Sequence, residues 1–185
     1  THLNMGNLKL GLEKYEWRWL NEALNSHQRY FAKPSWNGVE SLADKKILLW
    51  SEQGPGDVVM WLSALKYLLP LAKKCIIECP EKLLLLFRRS FPEAKVRIEN
   101  KNSENEPADF DVHLPIGSLY KCFLPQMSSR QSVSPYLIPD TVRVDYWKER
   151  LNSVGKGPFI GIAWSSPLIT ARRQLNYTQI SEWAP

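Results

Sequence analysis

Residues 46 to 62 read Lys-Ile-Leu-Leu-Trp-Ser-Glu-Gln-Gly-Pro-Gly-Asp-Val-Val-Met-Trp-Leu. The apolar run Ile47 to Trp50 has the make-up of a buried strand, which is expected over Lys46 to Ser51. It ends in a glycine-rich bend, Gly54-Pro55-Gly56, with Asp57 directly behind it and an amphipathic stretch beyond. Strand, tight turn and helix start, in that order, mark the place where open α/β sheets bind ligands. The side chains of Ser51, Glu52, Gln53 and Asp57 would then stand outside the carboxyl end of a first strand, which makes them the candidates for chemistry.

Downstream of the bend, helix and strand patterns alternate. The spacing of Trp61, Leu62, Leu65, Leu68, Leu69 and Ala72 predicts a helix from about Val58 to Lys73, with Pro70 as a kink or early stop. Cys75 to Cys79 reads as a second strand, and Pro80 suits the first turn of a helix over Glu81 to Ser90. Lys95 to Glu99 and Phe110 to Leu114 read as further strands separated by a polar loop, Lys101 to Ala108. A short apolar helix around Ser118 to Leu124, a helix from about Val142 to Asn152 and a buried strand, Phe159 to Trp164, complete the series. Strands alternating with helices predict an α/β, Rossmann-like parallel sheet with flanking helices. Upstream, Leu8, Leu12, Tyr15, Trp19 and Leu20 recur at helical spacing within residues 3 to 31, and Pro34-Ser-Trp-Asn-Gly38 is a turn-rich connector.

Composition narrows the class. The 185 residues are 44% hydrophobic and 23% charged, which is globular rather than disordered. A net charge of +5, with Lys and Arg scattered in pairs such as Lys73-Lys74 and Arg88-Arg89, predicts solvated faces and no nucleic-acid surface. There is no apolar run long enough for a membrane span and no signal-peptide pattern. Three cysteines, an odd number, argue for a reducing compartment, so a cytoplasmic location is expected. On one strand Cys75 and Cys79 would share a face roughly 13 Å apart, too far for a bridge. With His2, His27 and His113 as the only histidines, no metal site is expected, and the thiols read as small apolar side chains. The chain opens on Thr1 and so reads as a piece of a longer one.

Four readings of the bend can be weighed. A P-loop fails, because no Gly-Lys-Ser/Thr follows and Pro55 removes a backbone donor. A dinucleotide fingerprint starts well with Gly54-x-Gly56, and Glu78 ends the second strand where a ribose-binding acid would sit. Val59 replaces its third glycine, however, and Asp57 puts negative charge where a pyrophosphate needs the positive end of the helix. Asp57 as a plain helix N-cap is the third reading. The fourth is a carboxylate presented at a cleft as a general base, which is compatible with capping. Elsewhere, the cluster Trp17, Trp19, Tyr30, Phe31 and Trp36 could stack on carbohydrate or pack one segment onto the next, and the second is favoured. His113 reads as a core histidine.

The order Tyr15-Glu16-Trp17-Arg18-Trp19, Pro34-x-Trp36-x-Gly38, Glu52-Gln53-Gly54-x-Gly56-Asp57 resembles bacterial tetratricopeptide-repeat proteins that carry a glycosyltransferase-like domain related to the heptosyltransferases. Phe159-Ile-Gly-Ile-Ala-Trp164 is similar to the strand that opens that family's second domain, and Arg173-Gln-Leu-Asn-Tyr to the short motif beyond it. The resemblance implies a GT-B glycosyltransferase of two Rossmann-like domains. Residues 1–33 would be a remnant of the last repeat, 34–45 a linker, 46–157 the acceptor-side domain and 158–185 the start of a truncated second domain. Asp57 would be the general base. Glu52, Gln53, Gly54, Gly56, Ser165, Arg172 and Arg173 would bind substrate. A nucleotide sugar and an unknown acceptor would be the substrates, with no metal or other cofactor, and the repeats would bring protein partners. The loop after the second-domain strand, Ser-Ser-Pro-Leu-Ile-Thr, departs from the Asn and His usual there. With most of the donor domain missing, this stretch by itself is expected to be inactive.

Overall fold

A computed structural model describes residues 1–21, 28–100, 109–128, 135–163 and 174–183. Four parallel strands, β1 (Lys46–Trp50), β2 (Lys74–Cys79), β3 (Lys95–Ile98) and β4 (Val112–Pro115), form one sheet in the order β3-β2-β1-β4. The sheet is flanked by helices, and the protein has an α/β, Rossmann-like fold. β1 is central, and it is the strand at which the order reverses. The crevice between the carboxyl ends of β1 and β4 is therefore the topological switch point.

The two sheet faces are covered unequally. Ile47, Leu49, Cys75, Ile77, Cys79, Val112 and Leu114 alternate onto the larger core, with Leu12 from the amino-terminal segment and side chains from four later helices. These are α2 (Pro55–Leu62), α3 (Leu65–Leu68), α4 (Leu84–Ser90) and α5 (Leu119–Ser128). Leu48, Ile76 and Phe110 make a small second core, against which Phe31 packs. The cysteines behave as core residues: Cys75 and Cys79 are free and buried, and burial pushes both thiols up to about 12.

Several elements differ from the sequence expectation. The helix after the bend begins at Pro55, three residues early, because Pro suits the first helical position and Gly54 takes the cap. It does not run to Lys73. It breaks after Leu62, where the Ser63 hydroxyl donates back to the Met60 carbonyl at 2.8 Å, and α3 then gives way to a 3-10 turn over Leu69–Leu71 that holds Pro70. Among the described residues of the amino-terminal stretch, α1 (Leu8–Tyr15) alone is α-helical. It tightens into a 3-10 turn over Glu16–Leu20, and residues 28–31 are not helical. β4 starts two residues later and ends one residue later than expected, and α5 runs four residues beyond the expected Leu124 despite Pro125. The 34–45 connector adds to the sheet: Ser35 bridges His113 in parallel, and the Trp36 amide donates to the His113 carbonyl at 2.8 Å. Gly38 has φ +84° and lies against Cys122, so both its turn and its packing call for glycine.

Two compact units divide the chain, Thr1–Asp140 and Thr141–Pro185. The first therefore takes in the amino-terminal helical segment, the connector and the sheet together. The second contains α6 (Thr141–Val154) and a 3-10 turn over Ile180–Trp183. The described part of the expected strand Phe159 to Trp164, residues 159–163, is exposed and not a strand. An apolar run becomes a strand only by pairing, and no described strand pairs with it. The expected polar loop Lys101 to Ala108 lies outside the described residues, as do Trp164 and His27.

Candidate functional site

The bend is built where the sequence placed it. β1 is buried from Ile47 to Trp50, burial continues through Ser51 and Glu52, and the chain surfaces at Gly54. Gly54 is extended, with φ −65° and ψ 161°, and its carbonyl accepts the first helical hydrogen bond from the Val58 amide at 3.1 Å. Asp57 is thus the third residue of α2 and not its N-cap. Entry at Pro55 puts the cap on Gly54, and the Asp57 charge sits within the first turn, where the helix dipole favours it. The Asp57 carboxylate curls back over Gly54, with Oδ2 at 3.2 Å from where a Cβ on that glycine would be. Among the described residues Asp57 makes no hydrogen bond or ion pair, and it is half-buried.

Glu52 turns inward. Its Oε1 accepts the Gly117 amide at 3.0 Å and Arg18 Nη2 at 3.2 Å, and the residue is 4% exposed. Gly117 is the middle residue of the 3-10 turn Ile116–Ser118 after β4, so this contact ties together the two sides of the switch-point crevice. Arg18 Nη2 also donates to Ser118 Oγ at 3.0 Å, and Nη1 to Glu16 Oε1 at 2.9 Å. Ser118 Oγ in turn bonds both Glu16 oxygens, at 2.9 and 3.0 Å. The guanidinium lies between two rings, 4.7 Å from the Tyr15 centroid and 4.4 Å from that of Trp19. Burial pushes the Glu52 carboxyl up to about 7, against the pull of the Arg18 charge and the Gly117 amide in the other direction. The neighbouring Gln53 donates its amide nitrogen to the Tyr15 hydroxyl. Burial raises the Tyr15 phenol, and the Gln53 hydrogen bond and Arg18 only partly offset this, with Glu52 and Asp57 adding to the rise.

A second charged cluster runs along the β2–β3 side of the sheet. The buried Glu78 carboxylate receives Arg29 on one oxygen and Arg97 Nε, at 2.8 Å, on the other. Arg97 and Lys95 both reach Asp109, at 2.9 and 2.7 Å. Ser51 donates to the Glu99 carboxylate just beyond β3. Glu78 is thereby committed to two guanidiniums and is not displayed to a ribose. His113, on β4, accepts the Trp50 indole N–H on Nδ1 at 3.2 Å, the core role expected of it.

The structure therefore brings together Glu52, Gln53, Gly54, Gly56 and Asp57, while Ser165, Arg172 and Arg173 lie outside the described residues. Sequence reasoning missed Tyr15, Glu16, Arg18, Gly117 and Ser118 as members of the cluster. The available signal was a Glu and an Arg set among three aromatic residues at 15 to 19. Trp19 packs 5.7 Å from Trp50, and Trp36 is buried 6.0 Å from Phe123, so both serve packing, whereas Trp17 is exposed. An apolar pocket of about 430 Å³ adjoins the cluster through Trp61, which stands 5.3 Å from Tyr15 and lines the pocket with Leu12, Met60, Tyr120 and Leu124. Among the described residues no group of three or more His, Cys, Asp or Glu could hold a metal ion, and no helix is long and apolar enough to cross a membrane.

The chain is similar to protein FlbA of Caulobacter vibrioides, with 28% identity over 198 aligned residues covering 99% of this chain and 33% of that protein. It thus spans about a third of the length of this relative. No protein-family profile matches the chain, and no solved structure matches it.

Proposed function

We propose that this chain is the acceptor-side part of a glycosyltransferase that moves a sugar from a nucleotide-sugar donor to an acceptor hydroxyl, with Asp57 as the general base. One observation carries the reading. Asp57 stands on the bend at the carboxyl end of the central strand, beside the switch-point crevice, half-buried and without a hydrogen-bonding or ion-pair partner among the described residues. A carboxylate in that state can take a proton. The acceptor oxygen attacks the anomeric carbon and passes its proton to Asp57. The bond from that carbon to the diphosphate breaks, and the nucleoside diphosphate leaves with the electron pair. Ser165, Arg172 and Arg173 are the residues proposed to meet that leaving charge, without a metal or other cofactor. Protein partners and a cytoplasmic location belong to the same proposal.

The test, made in the longer protein of which this stretch is proposed to be a part, is release of nucleoside diphosphate from a panel of nucleotide sugars, together with calorimetric donor binding. Asp57→Ala should lower turnover by about 10² to 10⁴-fold while donor affinity stays unchanged. Arg173→Ala should weaken donor binding. Undiminished turnover in Asp57→Ala would overturn the assignment.

A noncatalytic interaction module is the second reading, and it draws on the inward-turned Glu52 and Gln53, which fill the crevice with internal contacts. Failure of every nucleotide sugar to bind would favour it. The dinucleotide reading is weakened by Glu78, which is already tied to Arg29 and Arg97.

A further inference from the structure

We propose that Arg18 is a positioning residue for the Asp57 bend, acting through Glu52 with Tyr15 as its second hand on Gln53, so that the amino-terminal helical segment sets where Asp57 stands. For catalysis this rests on the role assigned to Asp57 above; as a statement about the bend it does not.

The bend has little to hold it from within. A Cβ on Gly56 would meet nothing within 4 Å, Gly54 is exposed, and the backbone hydrogen bond across the turn is the one from Val58 to Gly54. Beyond Ser51, which is held by Glu99, residues 52 and 53 complete the link between Trp50, the last residue of β1, and the Gly54 cap. Both of their side chains are gripped from residues 15 to 18, Glu52 by Arg18 and Gln53 by Tyr15. The grip is itself rigid. Arg18 is 5% exposed, sandwiched between Tyr15 and Trp19, and further fixed by the Tyr15 carbonyl at 3.3 Å and by Glu16. Trp19 packs on Trp50 itself. One guanidinium thus joins the chain after β1 to the chain after β4 across sequence separations of 34 and 100 residues. A planar fork can hold Glu52 and Ser118 together in a way that a single ammonium cannot.

Glu52 also gives the arrangement a readout. The charged and titratable groups that face it are Arg18 and Glu16 from the 3-10 turn and Tyr15 from α1, with Asp57 of α2 acting on the same Tyr15; Ser118 supplies a hydroxyl. The Gly117 amide donates to Glu52 and so reports its protonation.

The test follows amide signals of the whole chain by NMR between pH 5 and 8.5, with hydrogen exchange beside it, in wild type, Arg18→Met, Arg18→Lys and Tyr15→Phe. The Gly117 amide should titrate with a midpoint near 7, and the Gly54, Gly56 and Asp57 amides should follow the same midpoint. Arg18→Met should raise that midpoint and lower protection of the Val58 amide, which is hydrogen-bonded across the bend, by about tenfold, leaving Ile76 to Cys79 in β2 unchanged. Arg18→Lys, with charge but no fork, should keep the midpoint closer to wild type yet lose the protection. Tyr15→Phe should leave the midpoint in place and lower protection at the bend alone. Bend amides that ignore the Gly117 midpoint would overturn the proposal, as would protection falling equally in the bend and β2. Should Arg18→Met fail to fold, Tyr15→Phe decides: unchanged protection at the Val58 amide overturns it. No donor or turnover enters this experiment, so its failure and that of the transferase reading are separate events.

Discussion

Two buried carboxylates stand at the carboxyl ends of neighbouring strands, Glu52 just beyond β1 and Glu78 at the end of β2, and their surroundings differ in sign. Around Glu78 the cluster pairs two acids, Glu78 and Asp109, with three cations, Arg29, Lys95 and Arg97. Around Glu52 it pairs two acids, Glu16 and Glu52, with Arg18 alone. The titration follows this balance. Partial burial pushes Asp109 up, but hydrogen bonds from Lys95 and Arg97 outweigh it and hold the carboxyl below its ordinary value, whereas burial lifts Glu52 to about 7. The cation-rich cluster closes the β2–β3 side of the sheet as a structural lock. The cation-poor one leaves a carboxyl that can hold or release a proton near neutrality, immediately beside the bend.

Deleting each acid is the most forceful way to break this contrast. Glu78→Ala leaves Arg29 and Arg97 facing one another with a buried vacancy between them, and should cost about 3 to 5 kcal/mol of unfolding free energy. Glu52→Gln keeps an oxygen for Gly117 and Arg18, leaves Arg18 paired with Glu16, and removes the burden of a buried charge. At pH 8 its cost should stay within about 1 kcal/mol. Urea unfolding of the two variants measures both, and equal losses would mean that the clusters are not different in kind.

The pH dependence sharpens the comparison by a smaller amount. Because burial raises Glu52, the folded chain keeps its proton where the unfolded chain has released it, between about 4.5 and about 7. The stability linked to this group is fully present below the unfolded value and is lost as pH rises through 7, a swing on the order of 3 kcal/mol. Asp109 works the other way and on the acid side: its contribution is present above the ordinary carboxyl value and fades as pH falls below it. Wild type should therefore lose stability from pH 5 to pH 7.5, and Glu52→Gln should flatten that slope. A slope unchanged in Glu52→Gln would show that Glu52 is not the group responsible.

Much of the sheet was legible because its signals are local. Ile47 to Trp50, Cys75 to Cys79 and Lys95 to Ile98 are short apolar or alternating runs bounded by turn residues, and all three became parallel strands. The bend was legible for the same reason. Pro55 was harder: in a Gly-Pro-Gly run it reads as turn, yet at N1 it starts a helix, and that choice moved the cap from Asp57 to Gly54. Arg18 was not legible. Its partners Glu52, Gly117 and Ser118 lie 34 to 100 residues away, and no periodicity reports such a contact. The same limit hid the pairing of Glu78 with Arg29, across 49 residues, which changed that acid from a candidate ribose ligand into part of a lock.

The finest probe of the Glu52 side is a single methyl group. A Cβ added at Gly117 would lie 2.3 Å from Glu52 Oε1 and 3.3 Å from Tyr15 Cε1, closer than a real contact allows. The carboxylate cannot simply swing away, because Arg18 holds the same oxygen and Arg18 is itself fixed between two rings. Gly117→Ala should therefore cost about 1 to 3 kcal/mol through forced displacement of Glu52. Gly56→Ala supplies the matched control. It lies in the first turn of α2 with nothing within 4 Å of the new Cβ, so it should be neutral or gain up to about 1 kcal/mol from helix propensity and reduced unfolded-state freedom. If thermal unfolding separates the two variants in this direction, the Glu52 carboxylate is pinned at the crevice. If they match, it is loose, and the contrast with Glu78 then rests on charge balance alone.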